Sequence, residues 1–258
     1  FFFFFNSNGV CEFGTYYGVN SIDVGFSFSF YSTGNVYMAG ETESTDHISS
    51  PGAHQINRAG FTDAFLVKFS GSGIREWATY YGGISFDYLG SCAVNADGQV
   101  FIAGSTSSSS GISTAGSYQP VVAGIYDAYL AKFSSSGNRV WGTYFGGSSA
   151  DGTNFCITDD AGNIYMVGST ESSDGIATPG VHQTTHQVAN DAYLVKFNSA
   201  GMREWGTYYG GNNEDYAMHC ALGQDGDIYF TGRTQSANGI STFDAYQIEF
   251  GGLTDAFL

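Results

Sequence analysis

The sequence predicts an all-β protein, a β-propeller built from 64-residue four-stranded antiparallel blades. Three observations carry that expectation. A heptapeptide recurs at fixed spacing: Asp63–Phe69 reads DAFLVKF, Asp127–Phe133 DAYLAKF and Asp191–Phe197 DAYLVKF, and Asp255–Leu258 begins it again as DAFL, each copy 64 residues after the last. A constant period of this length marks one folding unit copied in tandem. Runs rich in Val, Ile, Tyr, Phe and Thr alternate with Gly- and Ser-rich turns, the pattern of short strands. No stretch shows convincing helical periodicity.

The second unit shows the elements in order. Tyr88–Asn95 (YLGSCAVN) is a short apolar run, the first strand. Asp97-Gly98 follows as a hairpin turn of the type I′ kind. Gln99–Ser105 (QVFIAGS) alternates and is rich in β formers, the second strand. A Ser/Gly-rich connection, Thr106–Tyr126, leads to the third strand, Asp127–Phe133. Ser136-Gly137 turns the chain into the fourth strand, Arg139–Phe145 (RVWGTYF). All joins but one are short, so the four strands form an antiparallel meander.

The other units repeat these landmarks. Gly40, Gly104, Gly168 and Gly232 end the second strand; Trp77, Trp141 and Trp205 recur in the fourth, which closes on TYYG at Thr15, TYYGG at Thr79, TYFGG at Thr143 and TYYGG at Thr207. The chain is a single repeat domain over 1–258, with units at approximately 1–22 (partial), 23–86, 87–150, 151–214 and 215–258 (partial). A lone meander leaves both faces uncovered, so copies must stack face to face. Sheets packed round an axis do this with few exposed edges; tandem sheets are the alternative. Closure as a four-bladed ring would bring Asp255–Leu258 against Phe1–Phe5 in one split strand. A segment of a larger ring is preferred.

The residues resemble a known family at this point. The pattern is a GG-x-x-x-D entry, a turn Gly before V-Y/F-x-x-G, a long loop carrying T-P-G-x-H/Y-Q, D-A-F/Y-L-x-K-F and a W-x-T-Y-Y/F-G-G close. The third unit carries it as Asp151, Gly162–Tyr165, Gly168, Thr178–Gln183, Asp191–Phe197 and Trp205–Gly211. This is similar to the bacterial SBBP repeats, whose members are described as seven-bladed β-propellers. The resemblance covers essentially the whole chain and implies a secreted or surface-anchored bacterial protein, with little about activity. The first unit departs at Phe1–Phe5, at Phe26–Phe30 (FSFSF where others have GSCAV-like runs) and at Val19, which replaces a Gly.

The formal charge of −16, from 24 acidic and 8 basic residues, disfavours nucleic acid and anionic lipid as partners. No stretch approaches the length of a transmembrane helix, so no direct membrane insertion is expected. No signal peptide is visible and the chain does not begin with Met; its targeting segments are expected to lie outside this sequence. Six of the eight cations keep the period: Lys68, Lys132 and Lys196, and Arg75, Arg139 and Arg203. They read as stems on apolar surface with heads paired to carboxylates.

Candidate chemistry is sparse. Asp63, Asp127, Asp191 and Asp255, with Asp23, Asp87, Asp151 and Asp215, could supply carboxylate pairs for glycoside hydrolysis. Residues present in every unit are more simply turn caps, and a catalytic group should break the repeat. Cys92, Cys156 and Cys220 read as buried core side chains rather than a thiolate metal ring, and Cys11 as exposed. Asn95–Gln99, Asp159–Asn163 and Gly223–Asp227 lack the ligand spacing of calcium loops. His182 and His186 have zinc-like i, i+4 spacing but sit in a loop, and His182 aligns with His54, Tyr118 and Tyr246 as an aromatic packing position.

No residue is therefore assigned as catalytic, cofactor-binding or metal-ligating, no cofactor is expected, and the ligand-binding residues are left unassigned. The long loops Glu43–Thr62, Ser107–Tyr126, Glu171–Asn190 and Gln235–Thr254 vary most and are where recognition would live. The expected function is a non-enzymatic extracellular or cell-surface bacterial scaffold for protein interaction, adhesion or assembly, self-assembly included. A glycan-binding module is the alternative. A polysaccharide hydrolase or lyase, with its site in blades not present here, is the second.

Overall fold

The computed structural model describes residues 2–258; Phe1, part of the expected Phe1–Phe5 strand, lies outside them. The described elements are all strands. β1 (Phe2–Phe5) pairs antiparallel with β2 (Cys11–Thr15). Three four-stranded meanders follow: β3 (Asp23–Phe30) to β6 (Arg75–Tyr81), β7 (Asp87–Val94) to β10 (Arg139–Phe145), and β11 (Asp151–Thr158) to β14 (Arg203–Tyr209). β4 is Val36–Thr42, β5 Asp63–Phe69, β8 Val100–Thr106, β9 Asp127–Phe133, β12 Ile164–Thr170 and β13 Asp191–Phe197. A three-stranded sheet ends the chain, from β15 (Asp215–Leu222) and β16 (Ile228–Thr234) to β17 (Asp255–Phe257). β17 hydrogen-bonds to β16 and β1 to β2; no ladder joins β17 to β1 among the described residues.

The expected strands form with small shifts of boundary. The first strand starts at Asp87 rather than Tyr88, because the Asp87 amide is held by the Thr62 carbonyl of the preceding unit. The turns differ in type. At 95–98 only Gly98 has positive φ (71°), and its N–H returns to the Asn95 carbonyl. That is a type I turn followed by a left-handed Gly, whereas type I′ needs two positive φ values. Asn95 selects it: its Oδ1 accepts the Asp97 and Gln99 amides.

Consecutive sheets pack face to face with an apolar layer between them. Between the first and second full sheets lie Tyr37, Leu66, Tyr81, Ile102, Tyr129 and Phe133, all buried. Between the second and third lie Phe101, Leu130, Phe145, Met166, Tyr193 and Phe197. The second and third full sheets thus bury both faces because each has a neighbour on either side. The first strands β3, β7, β11 and β15 touch one another in succession, so the sheets approach most closely along that edge.

Each first strand carries a register shift at one place, between Gly25 and Ser27, Leu89 and Ser91, Thr153 and Phe155, and Ala217 and His219. A bulge re-aims the residue after it. Ser27 and Ser91 consequently face the following sheet, where their hydroxyls accept the amides of Cys92 (3.1 Å) and Cys156 (2.7 Å). At the bulge itself Gly90 is required: a Cβ there would lie 2.4 Å from the Thr153 carbonyl of the next sheet.

Candidate functional site

The repeated carboxylates were candidates for paired acid–base chemistry. Their places are structural. Asp87 accepts the Gly83 amide and the hydroxyls of Thr106 and Ser108; Asp151 accepts Gly147, Thr170 and Ser172 in the same way. Asp63 and Asp127 cap the long loop, taking the amides of Ala59 and Gly60, and of Ala123 and Gly124. A loop glutamine joins the two sets: Gln55 and Gln119 donate Nε2 to Asp63 and Asp127 and accept the Gly82 and Gly146 amides on Oε1. That is the role of the recurring loop Gln. All four carboxylates are buried. Burial pushes Asp87 and Asp151 up to about 6, against the hydrogen bonds that favour the charged form.

The third unit departs from this pattern. Val188 stands where Gly60 and Gly124 do, and Ala189 takes a left-handed φ of 64°. Asp191 keeps the Gln187 amide and Gln183, yet its Oδ1 has no partner, and neither do Asp215 Oδ1 and the buried His186 Nε2. Unpaired His and acidic atoms at the third-to-fourth junction were not expected. Described residues contain no group of His, Cys, Asp and Glu placed to hold a metal. His186 packs edge-on against Tyr208, and His182 lies 5.7 Å from Tyr209 in a tilted ring contact. His54 and Tyr118 pack on Phe133 and Phe197 of the next unit, whereas Tyr246 is fully exposed.

The cysteines are free thiols; Cys92, Cys156 and Cys220 are buried on first strands and pushed up to about 12 by burial, and Cys11 is exposed. The cations need a correction. Lys68 and Lys196 do meet carboxylates, Glu76 at 2.8 Å and Glu204 at 2.9 Å. Lys132 has Val140 at the corresponding position and donates to the Ser199 carbonyl instead. The three arginines pair with no carboxylate. Arg75, Arg139 and Arg203 donate to loop carbonyls, at His47 and Ile48, Gly111 and Ile112, and Gly175 and Ile176. They tie the root of each long loop to the fourth strand.

Those loops are also bound to the unit before. Tyr17, Tyr81 and Tyr209 donate their phenols to the carbonyls of Ile48, Ile112 and Ile240. Trp77 and Trp141 donate Nε1 to Ser135 and Ser199 in the next unit's outer turn. The frame therefore recurs, with gaps at Phe145, which has no phenol to offer Ile176, and at Val140 and Val188, and a further variable place is the surface where one unit's loop meets the next unit's first strand.

At the first-to-second junction that surface is filled by aromatic rings. Phe61 stacks on Phe86 (5.1 Å, 22°), Phe86 on Tyr88 (5.9 Å, 13°) and Tyr88 on Tyr126 (6.3 Å, 26°). At the second-to-third junction the counterparts of Phe86 and Tyr88 are Ala150 and Gly152. A cleft of about 220 Å³ opens there, between the Tyr88–Tyr126 pair and Asn190. At the third-to-fourth junction Tyr216 fills the place again, held by Asn190 at 3.2 Å and with the Arg233 guanidinium 4.3 Å from its ring centre. A larger hollow of about 500 Å³ lies beneath the last loop, around Ile240, Tyr246 and Phe257. A ring missing from a repeated position has a visible sequence signal, the change Tyr88, Gly152, Tyr216.

Fold and site together define an all-β protein of tandem four-stranded sheets with a recurring frame and a variable loop surface. Two relatives share part of its sequence. Over 208 residues, 68% of this chain, it is 24% identical to the uncharacterized WD repeat-containing protein L264 of Acanthamoeba polyphaga mimivirus. Over 143 residues, 55% of this chain, it is 26% identical to the regulatory protein FlaEY of Caulobacter vibrioides. These matches span 14% and 15% of the two relatives' own lengths. No family model matches the chain.

Proposed function

We propose that the sheets are blades of a β-propeller and that the protein is a non-enzymatic extracellular scaffold of bacterial type, presenting its loop surface to a partner at the cell surface. One observation carries this reading: Asp63, Asp87, Asp127 and Asp151 are buried and engaged by backbone amides and hydroxyls, while the surface that differs between units is rich in aromatic rings and hydroxyls. Groups committed to holding loops are not available to a substrate, whereas a rigid frame with variable loops is the usual layout of a recognition protein. The convergence of first strands and the likeness to a WD-repeat protein support the propeller. The acidic surface supports a partner other than nucleic acid.

The test is surface labelling of intact cells of the source organism, with electron microscopy of the purified protein. Labelling of unpermeabilised cells and disc-shaped particles are expected. Signal only after permeabilisation would overturn the extracellular role, and extended particles the propeller.

A further inference from the structure

We infer that the cleft at the second-to-third junction is a binding site for one pyranose ring of a neutral oligosaccharide. The inference rests on the reading of the chain as a recognition scaffold and names what that scaffold recognises.

The cleft exists because two side chains are missing from a repeated place. Position 152 is Gly between Tyr88 and Tyr216 of the neighbouring units, and position 150 is Ala between Phe86 and Glu214. Nothing in the backbone imposes this. Gly152 has no positive φ, and a Cβ there would meet only the Ser105 hydroxyl, at 3.2 Å. The adjoining ladder Ala150–Tyr126 and the carboxylate lock at Asp151 are formed as elsewhere. The frame is intact and a ring-sized space has been left in it.

The lining selects the occupant. Tyr88 and Tyr126 form one wall with near-parallel rings, so the aromatic ladder that starts at Phe61 stops at the cleft. A pyranose chair entering there would continue the stack, setting the electron-poor axial C–H hydrogens of one face against the electron-rich aromatic face. The rim is neutral and polar, from Ser105, Ser169 and the amide of Asn190. Asn190 already donates to Tyr216 and Ser105 already accepts the Thr153 amide, so a purely aromatic guest would leave the Asn190 Oδ1 and the two serine hydroxyl protons to be buried without water, which is costly. A sugar hydroxyl pairs with each.

Charge narrows the choice further. Both oxygens of Asp151, the floor of the cleft, are already engaged by Gly147, Thr170 and Ser172, so neither is free to accept a further hydrogen bond from a cationic head, and tetramethylammonium tests whether its charge alone draws a cation. The surrounding acidity repels an anion. The volume lies below the 300–1,000 Å³ that drug-sized ligands occupy, enough for one ring with the rest of the chain on open surface.

The experiment is calorimetry and saturation-transfer NMR of the whole chain with cello-, manno- and chito-oligosaccharides, and with tetramethylammonium and phenol as competing probes. Saturable binding of at least one oligosaccharide is expected. Gly152→Tyr, which restores the ring carried by both sister units, should weaken it at least tenfold, with the circular dichroism spectrum and melting curve unchanged. Ala150→Phe, after Phe86, is the second filling variant should the first fold poorly. Tyr126→Ala should weaken binding about tenfold. Absence of saturable binding up to about 10 mM oligosaccharide, undiminished binding in the filled variants, or preference for tetramethylammonium or phenol overturns the assignment. Those outcomes leave surface exposure of the protein, tested by cell labelling, where it stands.

Discussion

The first-to-second and second-to-third junctions are built on the same frame and finished differently. Both have a buried Asp holding a Gly-Gly amide and two hydroxyls, a Trp reaching the next outer turn, and a Ser on the bulged strand accepting an amide from the next sheet. One then fills its rim with Phe61, Phe86 and Tyr88, while the other leaves Ala150 and Gly152. The difference teaches that stability and recognition occupy separate residues in this repeat. Sites that recur hold the sheets together, and sites that drift shape the surface.

The comparison is broken most directly through the frame. Asp87→Ala and Asp151→Ala each leave an amide and two hydroxyls without their acceptor, and each should cost about 3–5 kcal/mol. Denaturant unfolding should give equal losses at the two junctions; a difference above about 1 kcal/mol would show that the frames are not equivalent.

Acid should act on both junctions together. Asp87 and Asp151 have folded-state values raised to about 6, above the ordinary carboxylate range, so the folded chain binds their protons more tightly than the unfolded chain. The pair should therefore contribute roughly 2 kcal/mol more stability at pH 5 than at pH 7, while His54, lowered to about 4 by burial, opposes it over the same window. Asp159 and Asp174, held low mainly by hydrogen bonds from Asn163 and Ser148, titrate below that window. Calorimetric melting at pH 7 and pH 5 of the native chain and of an Asp87→Asn, Asp151→Asn variant isolates the pair: the change towards pH 5 should be more favourable in the native chain, and an equal or less favourable change would refute it.

Gly137→Ala and Gly201→Ala probe the outer turns. Both positions have positive φ, 86° and 79°, and a Cβ would lie 2.7 and 2.9 Å from the rings of Trp77 and Trp141. Each should cost about 2 kcal/mol, with a change in Trp fluorescence that reports the displaced indole. The smallest effect belongs to the rim: Phe86→Ala should cost about 1 kcal/mol, from lost stacking on Phe61 and Tyr88. A loss as large as that of Asp87→Ala would mean that the rim belongs to the frame.

The fold was legible to the extent that it repeats. Period, strand order and the third and fourth strands could be read from DAFLVKF and its copies, because alternation and turn residues are local signals. The capping role expected of the repeated Asp residues matches their bonds to Ala59, Gly60 and Gly83. The arginines were misjudged, since their acceptors are loop carbonyls, which carry no side-chain signature. The turn at 95–98 was misjudged because a Gly after Asp fits two turn types, and Asn95 decides between them. The cleft left its trace as a missing ring rather than an added charge, so comparing units position by position finds it where motif searching does not.

Apart from the isolated backbone bridges Thr62–Phe86 and Tyr126–Ala150, neighbouring sheets are joined by side-chain hydroxyls, phenols and indoles, as at Ser27 with Cys92 and Tyr81 with Ile112, and the strand ladders stay within each sheet. A gene for such a protein can gain or lose a whole period by unequal crossing-over without shifting any strand out of register. Each duplicated copy arrives with its fastenings in place, and its rim is then free to diverge.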